Sequence, residues 1–132
     1  MESKTSLNFI IIDDSKLDCF IAERVIRNTG RCAAVQCFYN AILALEFIST
    51  AVTAGQFHTI VFVDIQMPIM DGFEFIEAYE KLSAEIKAAY TIFIISSSIH
   101  DRDLQRVHTY TSVKQFLNKP LNSNNLNALL SI

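Results

Sequence analysis

The sequence predicts a doubly wound α/β domain: a five-stranded parallel sheet with helices on both faces, a (βα)5 three-layer sandwich. Three observations predict it. Short apolar runs alternate with longer stretches of helical periodicity from end to end. The two central runs, Ile60-Val-Phe-Val63 and Ile92-Phe-Ile-Ile95, show no polar alternation, which is how strands buried on both faces read. Polar side chains, carboxylates above all, fall where the runs end, at Asp13-Asp14 and Asp64.

The first strand is Leu7–Ile12. Leu17, Phe20, Ile21 and Val25 then recur at helical spacing, with Ser15 a candidate N-cap and Gly30 a candidate C-cap. The second strand is Ala33–Phe38, and Ala41, Leu45, Ile48 and Val52 mark a second helix ending near Gly55. The third strand, Thr59–Ile65, contains Asp64. In the turn that follows, Met67 and Pro68 shape the loop and Asp71-Gly72 reads as turn chemistry alone. Phe75, Tyr79, Leu82 and Ile86 predict one third helix. The fourth strand, Thr91–Ser96, precedes a shorter, more polar helix with Leu104 and Val107. The fifth, Val113–Leu117, contains Phe116 and leads through Lys119-Pro120 to a last helix with Leu126, Leu129 and Leu130. Right-handed crossovers place all the loops after strands on one edge of such a sheet, where ligands bind at the topological switch point.

Bulk composition fits one domain over residues 1–132, its core at about 7–131: 51% of residues are hydrophobic and 19% charged. A net charge of -3, a pI near 5.5 and no basic stripe argue against nucleic-acid binding. Cys19, Cys32 and Cys37 are odd in number and fit no zinc spacing, so they suit a reducing compartment, and a Cys32–Cys37 disulfide is not expected. The segment Met1–Ser6 lacks the features of a signal peptide and no run reaches membrane-span length, so the expected location is the cytoplasm, away from membranes.

Asp64 is the most informative residue. A carboxylate at the tip of a buried strand costs free energy unless something nearby uses its charge. If the first and third strands are neighbours, Asp13, Asp14 and Asp64 converge. Crowded carboxylates repel, so at least one pKa is expected to rise, and Mg²⁺ resolves the repulsion through oxygen ligands while leaving room for phosphate. Lys119 supplies a compact cation and Ser96 a hydroxyl at neighbouring strand ends. Such a site can align a phosphoryl donor with Asp64.

These residues resemble a known pattern. Asp13-Asp14-Ser15, Asp64-Ile-Gln-Met-Pro-Ile-Met-Asp71-Gly72, Ile94-Ile-Ser96-Ser-Ser98 and Phe116-Leu-Asn-Lys119-Pro120 occur in the order and spacing of the receiver domains of two-component response regulators, over nearly the whole chain. The resemblance implies the CheY-like, flavodoxin-like fold and a phosphorylation-driven switch without turnover of an external substrate. It implies that Asp64 accepts a phosphoryl group from a sensor histidine kinase or a phosphotransfer protein. Asp14 and Asp64 would bind Mg²⁺ directly, Asp13 through water, and the Gln66 backbone carbonyl would complete the protein ligands. Lys119 would pair with phosphoryl oxygens, Ser96 would donate its hydroxyl to them, and Phe116 would be the aromatic switch. The side chains of Gln66 and Ser98 would influence hydrolysis. The Lys119-Pro120 bond is often cis in this family.

The chain departs from the family's usual residues in three places. Ser96 replaces a commoner threonine, Phe116 a frequent tyrosine, and Ser112-Val113 a usual Gly-Ala pair. Taken singly, each motif has a plainer reading: Asp13-Asp14-Ser15 as a helix cap, Ser96 as a strand-end serine, Lys119 as a loop lysine and Phe116 as core. Their coincidence favours the site. His58 and His108 read as surface residues, and His100 opens the loop after the fourth strand.

Output, and any dimerisation, is expected through protein contact at the face of the fourth helix, fifth strand and fifth helix. The chain ends at Ile132, which fits either a stand-alone receiver or a module of a longer transcription factor. A Mg²⁺-dependent aspartyl-phosphate phosphatase or phosphotransferase is the rival reading, but Asp64-Ile-Gln lacks the second acid of an Asp-x-Asp motif, and no segment is long enough for a cap. A flavodoxin-like electron carrier shares the architecture, but acids after the first strand would repel the phosphate of FMN.

Overall fold

A computed structural model describes residues 6–50, 57–97 and 100–130. Its elements run β1 (Leu7–Ile12), α1 (Lys16–Arg27), β2 (Cys32–Phe38), α2 (Ala41–Thr50), β3 (Thr59–Asp64), α3 (Gly72–Glu80), α4 (Ala84–Lys87), β4 (Tyr90–Ser96), α5 (Asp101–Val107), β5 (Val113–Asn118) and α6 (Ser123–Leu130). The five strands are all parallel, in the order β2-β1-β3-β4-β5. The predicted architecture holds, with strand ends displaced by a residue at most.

Alternation along the strands builds two cores. Ile10, Ile12, Val61, Val63, Ile92 and Ile94 face one way, beneath α2, α3 and α5. Phe9, Ile11, Ile60, Phe62, Phe93 and Ile95 face the other way, beneath α1 and α6. Phe9, Phe62 and Phe93 stack across three adjacent strands, with ring centroids 6.5 and 5.6 Å apart. Burial of side chains of this size is worth about 1.5–3 kcal/mol each, so both layers hold the strand ends firmly in place.

The helices depart from the sequence expectation in three ways. The buried face of α1 is Cys19, Ala22 and Ile26, whereas Leu17 and Phe20 are 66% and 57% exposed. Val25, also expected on the buried face, packs against the same core, so the apolar stripe is rotated rather than absent. The third helix is two, α3 and α4: the Ser83 hydroxyl accepts from the Ile86 N–H and starts a new helix. Leu82 and Ile86 still pack on the same core, so the apolar spacing runs unbroken across the break. The predicted fourth and fifth helices are therefore α5 and α6. Gly30 does take a left-handed φ of 73°, but the cap of α1 is Asn28. The predicted end of α2, through Val52 to Gly55, lies outside the described residues.

Candidate functional site

The chain passes from β1 to β2 on one side and then to β3 on the other, so a crevice opens at the carboxyl ends of β1 and β3. Asp13 and Asp14 directly follow β1, and Asp64 is the last residue of β3. One ligand oxygen from each of the three lies within 4.8 Å of the others. Asp13 and Asp64 are buried and Asp14 is exposed, which gives two fixed donors and one on the solvent side. The Asp13 carboxylate accepts the Ser15 N–H at 2.9 Å, and its own N–H donates to the Phe38 carbonyl at 3.0 Å. An all-oxygen donor set of this kind suits a hard divalent cation such as Mg²⁺.

Lys119 enters from the loop after β5. Its Nζ lies 2.6 Å from Asp13, 2.8 Å from Asp18 and 3.4 Å from Asp64. Its backbone N–H donates to the Ser96 carbonyl at 2.9 Å, which ties the lysine to the end of β4. The Lys119-Pro120 peptide is cis, as expected. Burial works against the Lys119 charge, but its bonds to Asp13 and Asp18 outweigh it and hold the pKa above the usual lysine value. The Asp64 pKa is pushed up to about 6, first by burial; Lys119 pulls it down, and Asp13 and Asp14 push it further up. The sequence led to an expected rise from carboxylate repulsion, but desolvation is the larger cause.

Ser96 is buried at the end of β4, one residue beyond Ile95, the register partner of Asp64. Phe116 pairs in register with Ile94 and is half-buried against the core beneath α2, α3 and α5. Gln66 is exposed on the loop after β3, two residues past Asp64, while Ser98 lies outside the described residues. Before β5, Ser112 donates from both its N–H and its hydroxyl to Glu80, at 3.1 and 2.7 Å. That anchor defines the loop where the Gly-Ala pair is missing.

Asp71-Gly72 does more than turn the chain. Asp71 and Glu74 form a reciprocal capping box at the start of α3. The Gly72 N–H donates to Ile65 O at 2.8 Å, and a Cβ at Gly72 would sit 2.4 Å from the Asp64 carbonyl oxygen and 2.9 Å from Ile65 Cα. Only glycine lets α3 begin this close to the Asp64 backbone. Ile69, by contrast, is 82% exposed and holds a φ of 71°, which a β-branched residue adopts only under strain. Met67 is buried in the core.

Of the histidines, His58 is not a plain surface residue. Its Nε2 lies 2.7 Å from the Thr91 hydroxyl, and burial lowers its pKa. His100 occupies the N-cap position of α5 without a side-chain cap bond, and His108 is exposed. The three cysteines are free, as expected. Asp18 was missed by sequence reading, although its place three residues after the capping Ser15 was a usable signal.

A family model described as the response regulator receiver domain matches residues 9–131. The chain belongs to this family. Its receiver fold is CheY-like, and phosphorylation-driven switching is general among receiver domains, which are signalling modules of two-component systems rather than conventional enzymes. Among solved structures, the chain is similar to a response regulator receiver protein from Dyadobacter fermentans, at 32% identity over 96% of each chain with a TM-score of 0.86. It is also similar to a two-component response regulator from Cytophaga hutchinsonii, at 26% identity over 97% of this chain and 96% of that one, TM-score 0.87. The chemotaxis protein CheY4 of Vibrio cholerae shares the fold at 21% identity, covering 96% of this chain and 98% of its own, TM-score 0.73. A comparison with curated proteins finds no match. Among the described residues, no helix is long and apolar enough to cross a membrane.

Proposed function

We propose that residues 1–132 work as one receiver domain whose phosphoacceptor is Asp64, charged by a phosphohistidine of a sensor kinase or phosphotransfer protein in a Mg²⁺-dependent reaction. The observation that carries this reading is the meeting of Asp13, Asp14 and Asp64 with Lys119 in the switch-point crevice. An Asp64 carboxylate oxygen attacks phosphorus in line. The P–N bond breaks, its electron pair stays on the donor imidazole, and an acyl phosphate forms on Asp64.

Asp14 and Asp64 would hold Mg²⁺ directly, with Asp13 through water and the Gln66 carbonyl as a further ligand. The bound ion would neutralise charge gathering on the transferring phosphoryl oxygens. Lys119 screens the same charge from the other side. Ser96, whose carbonyl accepts the Lys119 N–H, would donate its hydroxyl to the phosphoryl group, and Phe116 on the adjacent strand would follow its movement. The face formed by α5, β5 and α6 is the proposed output and dimerisation surface. The exposed Leu17 and Phe20, on the helix that follows Asp13 and Asp14, would offer apolar area to the donor. Three free thiols fit a reducing cytoplasm.

The test is incubation with a small phosphoramidate donor and Mg²⁺, read by intact mass. Wild type should gain one phosphoryl group and Asp64→Asn none; labelled Asp64→Asn or unlabelled wild type defeats the assignment. With Mg²⁺ and beryllofluoride, NMR shifts should spread from Asp64 through Ser96 to Phe116. A response confined to the acidic cluster contradicts the switch.

A further inference from the structure

We propose that Asp18 is a positioning residue: it holds Lys119 in the resting site and opposes the phosphorylated state. The inference rests on Asp64 being the phosphoacceptor. An ammonium has three N–H donors, and three carboxylates surround this one. Asp13 and Asp64 belong to the acidic cluster that can hold a cation, and Asp18 stands outside it on α1. Yet the 2.8 Å bond to Asp18 is shorter than the 3.4 Å approach to Asp64. Asp13, at 2.6 Å, and Asp18 thus both hold the lysine more closely than Asp64 does, and of the two Asp18 is the one outside the cluster that can hold a cation.

The position of Asp18 is itself fixed. Its N–H donates to the Ser15 hydroxyl at 3.2 Å, which locks it into the first turn of α1, where a negative charge is favoured by the helix dipole. Lys119 shares the lining of a cavity of about 340 Å³ with Asp13, Asp18 and Ser97, so its ammonium is not packed tightly on every side. A phosphoryl group on Asp64 presents new oxygens to the ammonium, and moving toward them stretches or breaks the Asp18 bond. Asp18 therefore interacts more strongly with one state than with the other, which is the requirement for biasing a population. The sequence of contacts from Ser15 to Asp18, Lys119 and Asp64 sets how readily the site accepts and keeps its phosphoryl group.

The test uses the full chain at fixed pH, with Mg²⁺ and beryllofluoride as the phosphoryl mimic, titrated by NMR. Asp18→Asn should bind the mimic about two- to fivefold more tightly than wild type, the range expected of an ion pair between partly exposed groups. Asp18→Ala, which removes the acceptor, should tighten it at least as much, and Asp18→Glu should return it toward wild type. Mg²⁺ affinity without the mimic should stay within about twofold, since Asp18 is not one of the three clustered carboxylates. A structural role alone would weaken the variants rather than tighten them. Equal or weaker binding of the mimic by Asp18→Asn and Asp18→Ala overturns the latch and leaves Asp64 as phosphoacceptor. Failure of wild type to gain a phosphoryl group removes the phosphoacceptor reading and the latch with it.

Discussion

Replacing Asp64 by asparagine should stabilise the metal-free protein at neutral pH. The Asp64 carboxyl is raised from its ordinary 3.8 to about 6, chiefly by burial. The folded state therefore binds this proton more tightly than the unfolded chain does. Stability from this group is fully present below the unfolded value and is lost as pH rises from about 4 to above 6. One pKa unit corresponds to about 1.36 kcal/mol, so ionised Asp64 costs the metal-free fold up to roughly 3 kcal/mol at pH 8. Asparagine keeps the volume without the charge, and Lys119 retains Asp13 and Asp18 as partners, so no new buried charge is orphaned.

Urea denaturation of both proteins in chelator, from pH 4 to 8, measures this directly. Subtracting the two curves removes contributions common to both, among them that of His58, whose lowered pKa acts in the opposite direction. The variant should gain about 2–3 kcal/mol on wild type across that range. Saturating Mg²⁺ should erase most of the gap, because a ligand at a hundredfold its Kd adds about 2.7 kcal/mol to the protein that binds it. A variant less stable than wild type at pH 8 in chelator, or a gap that does not change with pH, would refute the claim that burial strains this carboxylate.

Two predictions concern the loop behind the site. Gly72→Ala should destabilise the fold by about 1–3 kcal/mol and weaken Mg²⁺ binding, because the added methyl meets the Asp64 and Ile65 backbone rather than a movable side chain. Thermal melting and a metal titration check it, and a silent substitution would mean that α3 can retreat without disturbing Asp64. Ile69→Gly should raise stability by about 1 kcal/mol by relieving the left-handed strain at an exposed position. A melting temperature equal to or below that of wild type would show that the isoleucine side chain makes good that cost.

The sheet and the central chemistry were legible in the chain because their signals are local. Ile60-Val-Phe-Val63 and Ile92-Phe-Ile-Ile95 can satisfy so much apolar surface only as strands covered on both sides. Asp64 and Ser96 end those two strands, Asp13 and Asp14 follow β1 and Lys119 follows β5, so knowing the strands placed all five at one edge. Helix faces were less legible, since periodicity reports that a helix has an apolar side without saying which neighbour takes it. On α1, Leu17 and Phe20 are spaced as well as Cys19, Ala22 and Ile26, and only the way the helix docks on the sheet decides which set is buried. The break between α3 and α4 was hidden because Leu82 and Ile86 pack on the same core across it.

Local sequence, then, determined the strands, their order of chemistry and the residue types at their tips. Tertiary structure decided which charges meet. Burial rather than repulsion raises Asp64, and Gly72 is set by the approach of α3 to the Asp64 backbone. Lys119 finds Asp18, a residue 101 positions away, only once α1 and the loop after β5 are packed side by side. Desolvation, close approach and long-range pairing are properties of the packed chain, so no reading of neighbouring residues contains them.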